Sequence, residues 1–143
     1  MRPLVGAPET WPTVDIFIPT YNESLEIVQD TVLAALTIDY PPERRRIYLL
    51  DDGRRPEFKA FAEATGVGYI TRPDNHHAKA GNLNNALKQT DGELVCIFDA
   101  DHVATRAFLQ MTLGWFQADP RLALLQTPTS FTRPIRSSGT CSR

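Results

Sequence analysis

Short apolar runs alternate with amphipathic stretches along most of the chain. The runs predict five strands, over residues 14–18, 47–50, 67–71, 94–98 and 122–126. Between them, apolar residues recur at helical spacing and predict four helices, which begin near Ser24, Pro56, Ala80 and Thr105. We expect Pro19 to end the first strand and Trp115 to lie on the inward face of the last helix. Alternating strands and helices predict an α/β fold, with a mostly parallel sheet and helices on both faces.

The fourth apolar run ends in two carboxylates that are one residue apart. Asp99 and Asp101 follow this run directly, and residues two apart in an extended chain face the same side. The carboxyl ends of strands form the edge at which open α/β sheets bind ligands. Two neighbouring carboxylates are unfavourable without a cation between them, and oxygen ligands suit Mg²⁺ or Mn²⁺. The alternative is a turn with two solvated aspartates, and the short motif alone leaves both interpretations open.

Two other strands are predicted to end in polar loops at the same edge of the sheet. The first is followed by residues 20–23, which include Tyr21, and the second by Asp51 and Asp52. Lys79 precedes the third helix, so its ammonium group and the first backbone N–H groups can face the same anion. Together with the acid pair, these groups indicate a nucleoside-diphosphate site. Each also has a structural interpretation: Asp51 or Asp52 as a turn cap, Lys79 as a surface lysine, and Tyr21 as half-buried core.

Composition adds little to this picture. The chain has 143 residues and a formal net charge of −2, which gives no reason to expect nucleic acid or an anionic membrane as a partner. We find no signal peptide and no apolar run near the roughly 18 residues of a membrane-spanning helix, so we expect a soluble chain. Cys96 falls in a core strand and Cys141 in the tail. A disulfide between them is therefore not expected, and a reducing, cytoplasmic compartment fits.

The two ends of the chain differ from its middle. Residues 1–12 are Pro-rich and predict an irregular arm, and residues 13–128 carry the alternating pattern. Residues 129–143 are small, basic and without periodicity, so we expect a disordered tail. The three histidines lack the close spacing of a zinc site, and we discount that interpretation.

Four ordered motifs resemble those of processive family 2 glycosyltransferases of the bacterial cellulose synthase type. They are Ile18-Pro-Thr-Tyr-Asn-Glu23, Asp51-Asp-Gly53, His77-Ala-Lys-Ala-Gly-Asn82 and Phe98-Asp-Ala-Asp-His102, with Gln126-Thr-Pro128 following. The resemblance covers about residues 11–128. It implies a nucleotide-diphospho-sugar transferase fold of the GT-A-like kind, truncated, with UDP-glucose as donor and β-1,4-glucan as product.

The resemblance also implies roles for particular residues. Thr20, Tyr21 and Glu23 would border the uridine of the donor, with Asp52 on the uracil and Asp51 supporting it.

On the phosphate side, Lys79 would contact the diphosphate. Asp99 and Asp101 would hold the nucleotide through Mg²⁺ or Mn²⁺.

Two family motifs are absent from the chain. It has no Thr-Glu-Asp, whose aspartate would be the general base, and no Gln-x-x-Arg-Trp, which would bind the acceptor. No catalytic residue is therefore assigned, and we expect a donor-binding fragment that is inactive alone. The resemblance implies a parent enzyme at the cytoplasmic face of the bacterial inner membrane, with a glucan acceptor, an accessory subunit and cyclic-di-GMP as partners. The alternatives are a non-catalytic nucleotide-sugar-binding module, a truncated chain without function, or a related chitin- or hyaluronan-type synthase.

Overall fold

The observed elements follow the alternation of the sequence. The computed structural model describes residues 2–119, 121–122, 124–126 and 139–142. The strands are β1 (Val14–Thr20), β2 (Arg45–Asp51), β3 (Gly68–Ile70), β4 (Leu94–Phe98), β5 (Leu124–Gln126) and β6 (Gly139–Ser142). The α-helices are α1 (Leu25–Leu36), α2 (Pro56–Thr65), α3 (Ala78–Leu87), α4 (Phe108–Thr112) and α5 (Gly114–Ala118). Within these described residues, no helix is both long and apolar enough to span a membrane.

Local sequence signals explain where α1 and α2 begin and where α2 ends. Ser24 precedes α1 with extended backbone, and its Oγ accepts a hydrogen bond from the N–H of Ile27 at 3.4 Å. Pro56 occupies the first turn of α2, where a missing N–H has no cost. Gly66 then ends α2 with φ at 82°, a left-handed conformation that glycine adopts without strain.

The sheet has the strand order β3-β2-β1-β4-β6-β5. The four strands β1 to β4 pair in parallel, whereas β6 lies antiparallel between β4 and β5. The chain moves outward from β1 on one side through β2 and β3, and it returns on the other side of β1 through β4. A crevice therefore opens at the carboxyl ends of β1 and β4, where open α/β sheets bind ligands.

Helices cover both faces of the sheet, as the sequence predicts. On one face, α1, α2, α4 and α5 pack against β1, β2 and β4 through Val32, Phe58 and Leu109. On the other face, α3 packs through Ala86 against the alternate residues of the same strands, including Phe17 and Leu50. The central strand β1 is buried along its whole length because it is covered from both sides.

Two local predictions need correction. Pro19 does not end the first strand: β1 continues to Thr20, and the register pairs Pro19 with Leu50 of β2. The last predicted helix is divided at Leu113 into α4 and α5. As a result Trp115 turns outward and stays 40% exposed, where Arg2 stacks over its ring.

The tail departs most from expectation. Disorder is predicted over 129–143, yet Gly139–Ser142 forms β6, and the other residues of that stretch lie outside the described ones. The register of β6 on β4 sets Cys141 directly opposite Cys96, and the two form a disulfide. The prediction against this bridge is wrong. Residues 139–142 have no hydrophobic periodicity, but the backbone hydrogen bonds of β6 to β4 hold these four residues in place.

Candidate functional site

A cleft lies at the carboxyl edge of the sheet. Thr20 ends β1, Asp51 ends β2, and the two are directly paired in the register. The cleft has a volume of about 470 Å³. The described residues that line it are Pro19, Thr20, Tyr21, Glu23, Asp52, Asn75, Ala78, Lys79, Asn82, Asp99, Ala100 and Asp101. The lining therefore includes every predicted donor-binding residue except Asp51.

Asp51 lies behind the wall of the cleft. Its side chain is fully buried, and it accepts hydrogen bonds from the backbone N–H groups of Gly53 and Arg55 at 2.9 and 2.8 Å. The Arg55 guanidinium at 3.1 Å and the Tyr69 hydroxyl at 2.8 Å also donate to it. Asp51 thus fixes the turn after β2 and supports its neighbour Asp52, without contacting the cleft.

Asp52 is held by a buried arginine. Arg72 donates from Nε and Nη2 to the two carboxylate oxygens at 2.9 and 2.8 Å, a bidentate pair. Both side chains are nearly inaccessible to solvent, at 7% and 6%. The hydrogen bond to Asp52 is the largest cause of the raised pKa of Arg72, so the guanidinium stays charged. This pairing fixes the Asp52 carboxylate in the cleft wall and leaves only its remaining lone pairs for a ligand.

The same arginine organises the loop that leads into α3. Arg72 donates to the carbonyl oxygens of His76 and Ala78 at 2.6 and 2.8 Å. His77 and Ala78 adopt left-handed φ values of 62° and 47°, which are strained for residues with a side chain. A Cβ on Gly81 would collide with the His76 carbonyl oxygen, so only glycine permits this approach. This turn at His77 and Ala78 places Lys79 at the cleft.

Lys79 and the two aspartates after β4 form the other side of the cleft. The Lys79 ammonium donates to Asp99 Oδ1 at 2.7 Å, and these side chains are 53% and 27% exposed. Asp101 is exposed and lines the same cleft. No group of three or more histidine, cysteine or acidic residues among the described ones could hold a metal alone. Two carboxylates fit a cation such as Mg²⁺ that completes its coordination with water and phosphate oxygens.

Glu23 closes the end of the cleft that carries Tyr21. Its Oε1 accepts from the Thr20 hydroxyl at 2.7 Å and from the Tyr21 N–H at 2.9 Å. Burial acts to raise the pKa of Glu23, but these hydrogen bonds outweigh it and lower the pKa below the ordinary value of 4.5. The ring of Tyr21 is left 59% exposed at the mouth of the cleft. It is therefore available to a flat ligand group.

The lowered pKa makes the loop after β1 sensitive to acid. A carboxyl group with a depressed folded-state pKa stabilises the fold above its unfolded pKa, and this contribution is lost as the pH falls through the folded value. We expect Glu23→Gln to show a weaker fall in the free energy of unfolding between about pH 5 and pH 3 than the unmodified chain. Urea denaturation at several pH values measures it, with the exposed Glu26→Gln as control. Equal acid dependence in Glu23→Gln and the unmodified chain would contradict the assignment.

Three residues that line or support the cleft have no assigned role in the sequence interpretation. Arg72 lies just beyond the carboxyl end of β3, at the same edge of the sheet as the aspartates, and this position is a sequence signal that could have identified it. Asn75 lies in the same loop and donates to the Asp52 carbonyl oxygen at 3.0 Å. Asn82 ends one of the quoted motifs, but no pattern in the sequence shows that its side chain reaches the cleft.

The fold defines a class of protein. The structure of the mannosyltransferase PcManGT from Pyrobaculum calidifontis, in complex with GDP-Man and Mn²⁺, matches with a TM-score of 0.74 at 24% identity. The match covers 89% of this chain and 38% of that one. The fold is thus the GT-A-like fold of glycosyltransferases, as expected from the sequence.

Sequence relatives narrow this class to a family. The family model described as glycosyl transferase family 2 matches residues 15–138, and the chain belongs to that family. Cellulose synthase 1 of Komagataeibacter xylinus is 62% identical over 132 residues, or 92% of this chain and 8% of the relative. The cellulose synthase 1 catalytic subunit (UDP-forming) of the same organism is 61% identical, over 92% of this chain and 18% of the relative. The chain therefore spans less than a fifth of the length of these curated relatives.

Proposed function

We propose that this chain binds UDP-glucose together with a divalent cation, and that it is the donor-binding part of an enzyme that extends a β-1,4-glucan. The observation that carries the proposal is the charge of the cleft. Among the described residues that line it, Glu23, Asp52, Asp99 and Asp101 carry carboxylates and Lys79 carries an ammonium group. Arg72 offsets the charge of Asp52, which leaves the carboxylates of Glu23, Asp99 and Asp101 against the one charge of Lys79. Such a lining would repel a bare diphosphate, whereas a diphosphate with a divalent cation bound is compatible with it.

Different residues of the cleft would contact the cation, the diphosphate and the base. Asp99 and Asp101 would hold the cation, which offsets the charge of the diphosphate and of the departing UDP. Lys79 is half exposed, so its ammonium group can turn from Asp99 to a phosphate oxygen. At the other end, Tyr21 offers a ring for the base, and Asp52 is held by Arg72 where it can accept a hydrogen bond from the base N–H.

The names of the relatives support the choice of nucleotide and product. Both are cellulose synthases, and one is described as UDP-forming. The motifs that resemble this family supply the residues named above. Glucose as the transferred sugar follows from cellulose as the product, and Mg²⁺ and Mn²⁺ both satisfy the two-carboxylate site.

Isothermal titration calorimetry of this chain with UDP tests the proposal. We expect binding in the presence of Mg²⁺ or Mn²⁺ and a loss of at least about tenfold in affinity when EDTA replaces the metal. We expect GDP to bind more weakly, because a purine changes the contacts at Asp52 and Tyr21. Absence of binding with either metal, or equal affinity with and without metal, would contradict the proposal.

The activity of the whole protein requires its own test. An acceptor-activating base is not assigned in this chain, so we expect no glucan formation from UDP-glucose by the chain alone. The proposed parent enzyme acts at the inner face of the bacterial membrane, with an accessory subunit and cyclic-di-GMP. A full-length protein that binds UDP but forms no glucan would instead identify a nucleotide-sugar-binding protein.

A further inference from the structure

Asn82 lies in the cleft wall between the two groups of proposed ligand contacts. It is in α3, one helical turn after Lys79, and only 2% of its surface is exposed. Its Nδ2 donates to the carbonyl oxygen of Leu50 at 3.2 Å, two residues before Asp52. The side chain thus joins the helix that carries Lys79 to the strand that ends at the aspartates.

The acceptor atom of this side chain is left without a partner. Asn82 Oδ1 is buried and has no hydrogen-bond partner among the residues that the structure describes. The opposite orientation of the amide would set Oδ1 against the Leu50 carbonyl oxygen, two acceptors without a proton between them. The bond to Leu50 therefore fixes the amide, and the acceptor is left in the wall of the cleft without a partner among the described residues. A buried acceptor that stays unpaired is costly, and such groups in native proteins point to a ligand or a bound water.

The ligand group that satisfies Oδ1 must be a hydrogen-bond donor. Phosphate oxygens are excluded because at neutral pH they only accept, and a metal is a weak match for one amide oxygen beside two carboxylates. The hydroxyl groups of the ribose and of the glucose, and the N–H group of the base, remain as donors. In a nucleoside diphosphate the ribose joins the base to the phosphates, as Asn82 joins the Asp52 side of the cleft to the Lys79 side.

The geometry points to Asn82 as a specificity residue whose Oδ1 accepts a hydrogen bond from a ribose hydroxyl of the donor nucleotide. This inference rests on the proposed function, because it presupposes a nucleoside diphosphate in the cleft. It assigns selectivity for ribonucleotides over deoxyribonucleotides to one buried amide. A site that pairs a buried acceptor with a hydroxyl rejects the analogue without it, since the acceptor is then left unpaired.

Calorimetry with UDP, 2′-deoxy-UDP and 3′-deoxy-UDP in saturating Mn²⁺ tests this role. We expect the unmodified chain to bind UDP roughly tenfold or more tightly than at least one deoxy analogue. Leucine has a similar volume to asparagine but no acceptor. In Asn82→Leu the affinity for UDP should therefore fall to that of the deoxy analogue, and the preference for UDP over the analogue should fall to about twofold or less. A merely structural role would weaken all three ligands equally and keep the preference.

Two further variants make the outcome decisive. Asn84→Leu, on an exposed position of the same helix, should keep the full preference for UDP. Asn82→Ala is measured beside Asn82→Leu, so that a folding defect in one of them does not determine the result. An unchanged preference in either folded Asn82 variant, or no preference in the unmodified chain, overturns the inference while UDP binding still supports the proposed function. If the unmodified chain does not bind UDP at all, both are overturned.

Discussion

Asp99→Asn is expected to abolish the metal-dependent part of UDP binding, with a loss in affinity on the order of 100-fold, or about 2.7 kcal/mol. The substitution keeps the shape of the side chain but removes one of the two carboxylates that are proposed to hold the cation. The remaining Asp101 is exposed and is a weak site for a divalent cation by itself. Calorimetric titration with UDP and Mn²⁺ measures the loss.

The same variant should behave oppositely without metal. Asp99→Asn removes a negative charge from the cleft and releases Lys79 from its 2.7 Å contact. UDP affinity in EDTA should therefore equal or exceed that of the unmodified chain, a result that a general folding defect would not give. Asp30→Asn, on an exposed position of α1, is the matched control and should leave both affinities unchanged. Metal-dependent binding by Asp99→Asn within twofold of the unmodified chain would rule out the assigned role.

Arg72→Met is expected to lower the free energy of unfolding by about 2–3 kcal/mol, because it leaves the Asp52 carboxylate buried without its partner. The Arg72–Asp52 pair borders a cleft that water can enter, so the expected loss of stability is at the low end of the range for breaking a buried ion pair. The loop carbonyls of His76 and Ala78 also lose their donor. Urea denaturation at pH 7 measures the change as a shift in midpoint at constant slope.

A second substitution separates the charge effect from lost packing. Arg72→Met combined with Asp52→Asn removes the unpaired charge and should recover part of the loss, so the two effects are not additive. Arg106→Met, an exposed arginine near α4, should change stability by no more than about 0.5 kcal/mol. Strict additivity of the Arg72 and Asp52 substitutions would show that the pair does not act as a unit.

The sequence identifies candidate site residues where they directly follow a predicted strand. Apolar runs locate strands, and in a parallel sheet the residues after each run meet at one edge. The residues predicted at this edge include Asp52, Lys79, Asp99 and Asp101, which do line one cleft. They also include Asp51, which is equally close to the edge in sequence but faces inward. Successive residues at a strand end point to opposite sides, and sequence distance alone does not show which of them faces the ligand.

The amino-acid sequence by itself determined the class of fold, the family, and the edge of the sheet at which the site forms. The fold class and the edge follow from periodicity and turn chemistry, which act over a few residues, and the family follows from the resemblance of four ordered motifs. Tertiary structure alone decided that Arg72 holds Asp52, that β6 pairs with β4 and bridges Cys96 to Cys141, and that the Asn82 carbonyl is left unpaired. The first two are contacts between residues 20 and 45 positions apart. The third is a buried atom of a side chain that is held by a residue 32 positions away. No local pattern encodes which distant polar groups meet, because that depends on how the packed elements approach one another.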